Sequence, residues 1–255
     1  MEVTRASMGG VAEAVERVAE RIVRAAERAG RPPDDVRLIA VSKGFDVTRV
    51  EQAALAGQMD FGENRVQELA AKYSDAPGDL RWHFVGRLQT NKVKQLLPMV
   101  DTIHSVDRVG LARQIDKQID KKQIEPVKVL VEVNASGDPR KAGVAPEGVE
   151  ELIEQVLQMP NLDLVGLMTM AHRTEDPETT REVFRRLARL RERAVETFSC
   201  ARIRHLSMGM SQDYEVAVEE GSTMVRVGEA IFGRRDPVGL VGERQASAHT
   251  KSRER

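Results

Sequence analysis

Lys43 is the residue of this 255-residue sequence best suited to covalent chemistry. It follows the apolar residues 38–41 closely, so it lies where a buried strand would end. Partial burial and nearby cations lower the pKa of a lysine amine and free it to form a Schiff base with an aldehyde. Position alone also allows a simpler interpretation, in which Lys43 only marks the solvated end of the strand.

Two loops rich in glycine and serine, near the other end of the chain, could bind an anion. Residues 207–211 have the sequence Ser-Met-Gly-Met-Ser, and Gly228 follows the last apolar run. Backbone N–H groups and serine hydroxyls donate hydrogen bonds to phosphate oxygens, and glycine lets the backbone approach closely. A single loop of this kind is more often an ordinary turn, but here two loops follow the last two predicted strands.

Arg226 lies within the apolar segment 224–227, so its guanidinium is expected inside the protein. A buried cation needs a partner, because an unpaired interior charge is costly. Two interpretations stay open: a structural ion pair with a carboxylate such as Glu63 or Glu132, or contact with a ligand. If that ligand were a phosphorylated pyridine, Arg226 could donate a hydrogen bond to the ring nitrogen and hold it unprotonated.

Eight short apolar runs, with helical spacing between them, must position these residues. The runs are residues 37–43, 59–62, 82–86, 102–105, 127–133, 162–168, 202–206 and 223–227. Eight strand–helix units predict a single-domain α/β fold, the (β/α)8 TIM barrel, with a doubly wound open sheet as the alternative. Functional groups of such a barrel cluster where the strands end. Val11, Val15, Val18 and Ile22 predict an extra N-terminal helix.

The composition predicts one soluble domain. Residues 1–236 are expected to form the barrel, and residues 237–255 a disordered polar tail. The 39 basic and 40 acidic residues leave a net charge of −1, which argues against nucleic-acid or anionic-lipid binding. One cysteine and five scattered histidines argue against a disulfide framework and a metal site. The sequence has no pattern typical of a membrane span or signal peptide, which predicts a cytoplasmic protein.

Eight ordered segments carry a resemblance to a known family. They are residues 40–43, 61–64 with 67–68, 82–86 with 89 and 91–92, 103–107, 133–134 with 141–143, 166–168, 206–211 with 213, and 221–228 with 231–233. On these segments the sequence resembles the YggS/PROSC family, the pyridoxal phosphate homeostasis proteins. The fold of that family is similar to the N-terminal barrel of alanine racemase.

The resemblance implies that Lys43 holds pyridoxal 5′-phosphate (PLP) as a Schiff base. Ser207 and Gly228, with the backbone near Glu229, would hold the phosphate, and Arg226 would meet the pyridine nitrogen. A small hydroxyl residue is common in the family at the position of Glu229. The resemblance therefore implies that this acidic side chain points away from the phosphate.

Three further residues complete the implied site: Asn64 would lie beside the cofactor ring, and Met168 and Met208 would line the pocket. The implied function is to bind PLP and contribute to intracellular PLP homeostasis without robust catalytic turnover. The expected partners are PLP itself and PLP-dependent apo-enzymes. The chain is predicted to be a monomer, because it lacks the β-domain through which alanine racemase forms its dimer.

Two other functions stay open, a PLP-dependent amino-acid racemase and a PLP-gated interaction protein. Racemisation needs a second acid or base opposite the lysine, usually a tyrosine. The chain has two tyrosines. Tyr73 lies in a predicted surface helix, so Tyr214, just after the loop of strand seven, is the candidate. Its helix is expected to turn away from the barrel mouth.

Overall fold

Eight parallel strands close into a barrel in a computed structural model that describes residues 3–171, 174 and 176–234, with side chains described from Gly10 onward. Each strand pairs with the next, and the eighth pairs with the first. The predicted TIM barrel is confirmed, and the open doubly wound sheet is excluded. The strands are β1 (Arg37–Val41), β2 (Asp60–Glu63), β3 (Arg81–Phe84), β4 (Thr102–Val106), β5 (Val127–Glu132), β6 (Leu162–Met168), β7 (His205–Ser207) and β8 (Met224–Val227).

Helices connect the strands and cover the outside of the barrel. They are α1 (Val3–Arg28), α2 (Val47–Leu55), α3 (Val66–Tyr73), α4 (Val93–Leu96), α5 (Val109–Lys122), α6 (Val149–Leu157), α7 (Pro177–Phe198), α8 (Tyr214–Glu219) and α9 (Glu229–Phe232). In the described part of the chain, no helix is both long and apolar enough to cross a membrane.

Helix α1 is the predicted extra helix. Its apolar residues recur three or four positions apart and therefore share one face of the helix. That face is buried, through Val11, Val15, Val18 and Ile22, and the helix packs against α2, α8 and α9. It thus covers the flank of the barrel where the last strand meets the first.

Alternating side chains along each strand point outward to the helices or inward to the barrel axis. The outward residues join the large core with the helices. A small separate cluster fills the barrel interior, formed by Ile39, Leu130, Val165, Met168 and Met224. Polar side chains occupy the rest of the interior, among them His83, His104, Ser207 and Arg226.

Strand β7 is shorter than predicted and ends later, at Ser207 rather than residue 206. Its pairing with β6 begins where Gly166 meets His205. A Cβ on Gly166 would lie 2.0 Å from the backbone oxygen of His205, so only glycine permits this approach. Because β7 ends at Ser207, the loop that follows it starts at Met208. The predicted tail, residues 237–255, lies outside the described residues.

Candidate functional site

A cavity of about 750 Å³ lies at the carboxyl ends of β1, β3, β6, β7 and β8. This mouth cavity contains four of the eight residues that the resemblance implied. Its lining includes Lys43, Arg226, Gly228 and Glu229, together with Val41, Phe45, Val85, Met170, Met210, Ser211 and Asp213. Residues that are far apart in the sequence thus share one space, because parallel strands all end at the same rim.

Lys43 is positioned by a buried ion pair directly behind it. The Ser42 hydroxyl donates to Glu63 Oε1 over 2.7 Å, and Lys72 Nζ donates to both Ser42 O and Glu63 Oε1, over 2.8 and 2.5 Å. Burial raises the pKa of Glu63, while the neighbouring Lys72 lowers it. Glu63 therefore pairs with a structural cation, Lys72, and Lys72 binds the backbone oxygen of the residue that precedes Lys43.

Backbone N–H donors converge at the opposite side of the mouth cavity. The N–H groups of Gly228 and Ala230 both donate to Ser211 Oγ, each over 3.2 Å. Gly209 makes this loop possible: its φ is +95°, and a Cβ there would lie 2.6 Å from the Cβ of Ala217. The arrangement presents two amides and one hydroxyl at a single point, which suits phosphate oxygens.

Arg226 lies in the floor of the mouth cavity and is 5% exposed. It donates to Ser207 Oγ over 2.5 Å and to Thr169 O over 2.8 Å. Burial lowers the pKa of Arg226 to about 10, against the opposing charges of Asp213 and Glu132, so the guanidinium stays charged at neutral pH.

Arg226 does not form the ion pair with Glu63 or Glu132 that the sequence left open. Glu63 pairs with Lys72 instead. Glu132 is buried and acts on Arg226 only through its charge, and burial raises the pKa of Glu132 to about 7. Arg226 thus has hydrogen-bond acceptors on two sides and no ion pair with a described carboxylate.

Ser207 is fully buried and does not line the mouth cavity. Its hydroxyl oxygen lies between Arg226 and the ring nitrogen Nδ1 of His104, at 2.8 Å from the latter. Ser211, four residues later, faces the cavity instead. The sequence signal for Ser211 was the hydroxyl at the end of the 207–211 loop, but the resemblance had assigned the contact to Ser207.

The two methionines of the implied site are also placed elsewhere. Met168 is fully buried within the small cluster inside the barrel, and Met208 is fully buried in the core beneath the helices. Met170 and Met210, each two residues later, line the mouth cavity. Sequence reasoning named segments that reach the mouth cavity but missed which of their side chains face it.

Asn64 lies in a second cavity of about 780 Å³, beside the ends of β2, β3 and β4. This space also contains Arg65, Arg87, Lys92 and Arg108. The backbone of Asn64 is closely packed, because a Cβ on Gly86 would lie 2.2 Å from Asn64 O. The structure therefore does not bring Asn64 into the cavity of Lys43 and Arg226.

Glu229 lines the mouth cavity, and its carboxylate has a cation beside it. Arg234 Nε donates to Glu229 Oε1 over 2.9 Å. The side chain is thus engaged with a residue beyond α9, while the backbone on either side, at Gly228 and Ala230, supplies the N–H donors.

Comparison with known proteins identifies the family. The family model for the N-terminal domain of alanine racemase matches residues 14–236. A pyridoxal phosphate homeostasis protein of Aquifex aeolicus is 46% identical over 224 residues, which is 88% of this chain and 97% of the relative. This chain belongs to the pyridoxal phosphate homeostasis protein family. A member from Pseudomonas aeruginosa is 42% identical over 230 residues, 90% of this chain and 97% of that relative.

Solved structures of similar chains include one with a ligand. PipY of Synechococcus elongatus, determined with PLP bound, is 35% identical and has a TM-score of 0.73, covering 85% of this chain and all of PipY. Alanine racemase of Clostridium difficile is 17% identical with a TM-score of 0.70, covering 87% of this chain but 57% of the racemase. At 17% identity this similarity shows only that the two proteins share a fold.

The tyrosines of this homeostasis-family chain lie away from the mouth cavity. Tyr214 is fully buried on the outside of the barrel, where the guanidinium carbon of Arg21 in α1 lies 5.4 Å from its ring centroid. Tyr73 is 43% exposed on α3. Neither lines the cavity of Lys43. Within the described ranges, no cluster of three or more metal-binding side chains occurs.

Proposed function

We propose that this protein binds PLP in the mouth cavity, as a Schiff base on Lys43, and contributes to intracellular PLP homeostasis without robust turnover. One observation carries the proposal: an amine, a buried guanidinium, and the Gly228 backbone with the Ser211 hydroxyl that it contacts line the same cavity. These three features correspond to three of the polar groups of PLP. The aldehyde supplies an electrophile for an amine, the phosphate accepts hydrogen bonds, and the ring nitrogen is an acceptor when unprotonated.

The size and lining of the cavity support this fit. About 750 Å³ is within the range of roughly 300–1,000 Å³ that is usual for small-molecule sites. Phe45, Val85, Met170 and Met210 provide apolar surface for a flat ring. We assign the phosphate to the loops of Ser211 and Gly228, because both residues line the mouth cavity, whereas Ser207 is fully buried and does not line it.

Ser211→Ala should weaken the binding of PLP by about 10-fold, the effect of one hydrogen bond to a charged group. Binding of pyridoxal, which has no phosphate, should change by less than about 2-fold, so the preference for the phosphorylated form should fall. Equilibrium dialysis of both compounds measures this. Ser136→Ala is the control, because the Ser136 hydroxyl donates to Asn134 Oδ1 in another loop. Equal weakening for both compounds would contradict the assignment of the phosphate.

The proposed absence of robust turnover is supported by the position of the tyrosines. Two-base racemisation at Cα needs a second proton-transfer group opposite Lys43, and both tyrosines lie outside the mouth cavity. Incubation of the PLP-loaded protein with L-alanine should therefore give no D-alanine above the amount formed with free PLP. Formation of D-alanine that Lys43→Ala abolishes would favour the racemase.

The proposal extends to the partners and location of the protein. We expect PLP to pass from the open mouth cavity to PLP-dependent apo-enzymes, and the chain to act as a monomer in the cytoplasm. Transfer is measured as reactivation of an apo-aminotransferase by the PLP-loaded protein, compared with an equal amount of free PLP.

A further inference from the structure

Five buried side chains form a continuous row of hydrogen bonds through the barrel interior, directly beneath the mouth cavity. From top to bottom this barrel chain consists of Arg226, Ser207, His104, His83 and Asp60. The successive distances are 2.5 Å from Arg226 Nη1 to Ser207 Oγ, 2.8 Å from Ser207 Oγ to His104 Nδ1, 2.9 Å from His104 Nε2 to His83 Nδ1, and 2.9 Å from His83 Nε2 to Asp60 Oδ1. All five residues are at most 5% exposed.

The carboxylate end of the barrel chain, together with neutral histidines, fixes the direction of every hydrogen bond in it. A carboxylate only accepts, so His83 carries its proton on Nε2 and donates it to Asp60. A neutral His83 then accepts at Nδ1 from His104 Nε2, which leaves His104 Nδ1 to accept the proton of the Ser207 hydroxyl. Ser207 Oγ accepts in turn from Arg226, because a guanidinium has only donors.

The lower end of the barrel chain, at Asp60, is held by a cation at the base of the barrel. Arg81 binds Asp60 with two hydrogen bonds, from Nε over 3.0 Å and from Nη2 over 2.7 Å. Contacts with His83 and Arg81 hold the pKa of Asp60 well below its usual range, despite burial. Burial lowers the pKa of both histidines, so they stay neutral. The barrel chain therefore connects a cation at the mouth, Arg226, to a carboxylate at the base, Asp60.

Contacts inside the barrel consequently fix the orientation of the Arg226 guanidinium. Two of its N–H groups are used inside the barrel, by Ser207 Oγ and by Thr169 O. The other N–H groups of Arg226 have no acceptor in the described part of the chain, and the side chain lines the mouth cavity. A ligand atom that meets them must be an acceptor.

We propose that Ser207, His104, His83 and Asp60 are positioning residues that hold Arg226 as a fixed donor, so that the mouth cavity selects ligands with an acceptor nitrogen in the ring. This inference rests on the proposed function, because it concerns the ring nitrogen of PLP. If the barrel chain had only a structural role, variants that interrupt it would lower folding stability but leave the discrimination between ligands unchanged.

Two ligands that differ in one ring atom test the inference. We would measure the dissociation constants of PLP and of 1-deazapyridoxal 5′-phosphate, in which a C–H group replaces the ring nitrogen. The wild-type protein should prefer PLP by about 10-fold or more, the effect of a hydrogen bond to a charged donor. His104→Phe keeps a ring of similar size but cannot accept from Ser207, so the preference should fall several-fold towards equality.

Further variants separate positioning from packing. His104→Asn places an amide oxygen near the former Nδ1 and should retain part of the preference. Ser207→Ala interrupts the row with a smaller change and should reduce the preference as His104→Phe does. His205→Phe is the matched control, since His205 contacts Thr223 and Arg204 and lies outside the row. It should leave the preference unchanged.

Each outcome decides one of two questions. If the wild-type protein does not bind PLP, the proposed function fails. If it binds PLP but has no preference, or if His104→Phe and Ser207→Ala keep the full preference, the inference fails while the proposed function stands. Should these variants not fold, ¹⁵N NMR of the wild-type protein still tests the row. Both histidines should be neutral with the proton on Nε2, and a proton on Nδ1 of either ring would overturn the inference.

Discussion

Lys43→Ala should abolish covalent retention of PLP. The amine of Lys43 is placed at the mouth cavity by a turn whose backbone is fixed by the Ser42, Glu63 and Lys72 contacts, opposite the N–H groups that suit the phosphate. The nitrogen of this amine replaces the aldehyde oxygen, which leaves as water, so no bond can form without it. After dialysis, visible absorption should show about one PLP per wild-type chain and none in the variant.

Lys141 provides the matched control for this experiment. Its Nζ donates to the backbone oxygen of Met170, a residue that lines the mouth cavity, and burial lowers the pKa of the amine. It is therefore a second lysine near the cavity with altered chemistry. Lys141→Ala should keep the visible band that Lys43→Ala loses. Retention of the band in Lys43→Ala, with loss in Lys141→Ala, would move the attachment site to Lys141.

Lys72→Met should lower the free energy of unfolding by about 3–5 kcal/mol at neutral pH, the usual cost of leaving a buried carboxylate without its cation. Lys72 and Glu63 are both buried, and Glu63 Oε2 already has no hydrogen-bond partner. Removing the ammonium leaves the Glu63 charge opposed only by the hydroxyl of Ser42. Urea unfolding of the wild type and the variant measures the difference.

The loss in Lys72→Met should depend on pH in a defined direction. Burial already raises the pKa of Glu63 above its unfolded value, and loss of Lys72 raises it further. A carboxyl with a raised folded pKa stabilises the fold when it is protonated, and this contribution is lost as the pH rises through the folded pKa. The variant should therefore be closer to the wild type at pH 5 than at pH 8.

The double variant Lys72→Met, Glu63→Leu is the control for buried charge. Replacing both partners with apolar groups of similar size removes the uncompensated carboxylate, so most of the lost stability should return. If the double variant is as unstable as Lys72→Met alone, the loss comes from the missing hydrogen bond to Ser42 O and not from the charge on Glu63.

The barrel itself could be predicted from the sequence because its signals are local and repeated. Apolar runs alternating with helical spacing determine the order of strands and helices, and the four buried positions of α1 follow a helical period. The convergence of Lys43, Arg226, Gly228 and Glu229 then follows from topology, since strands of a parallel barrel end at one rim. No contact between particular side chains is needed for this conclusion.

The side-chain details of the site could not be predicted in the same way. Whether Ser207 or Ser211 faces the cavity depends on where β7 ends, and in the structure Ser207 is the last residue of the strand, paired with Met168 on the neighbouring β6. Met168 and Ser207 are therefore held inside the barrel wall, while Met170, Met210 and Ser211 lie beyond the strand ends and line the cavity. His83 and His104 looked like scattered histidines in the sequence, and they meet only because β3 and β4 are adjacent in the closed barrel.

The most direct test of the central claim is to locate the bound cofactor chemically. The wild-type protein would be loaded with PLP, reduced with borohydride, digested and analysed by mass spectrometry. We expect one phosphopyridoxyl group, attached to Lys43. Attachment to Lys141 or another lysine, or the absence of any modified lysine in the loaded protein, would contradict the account.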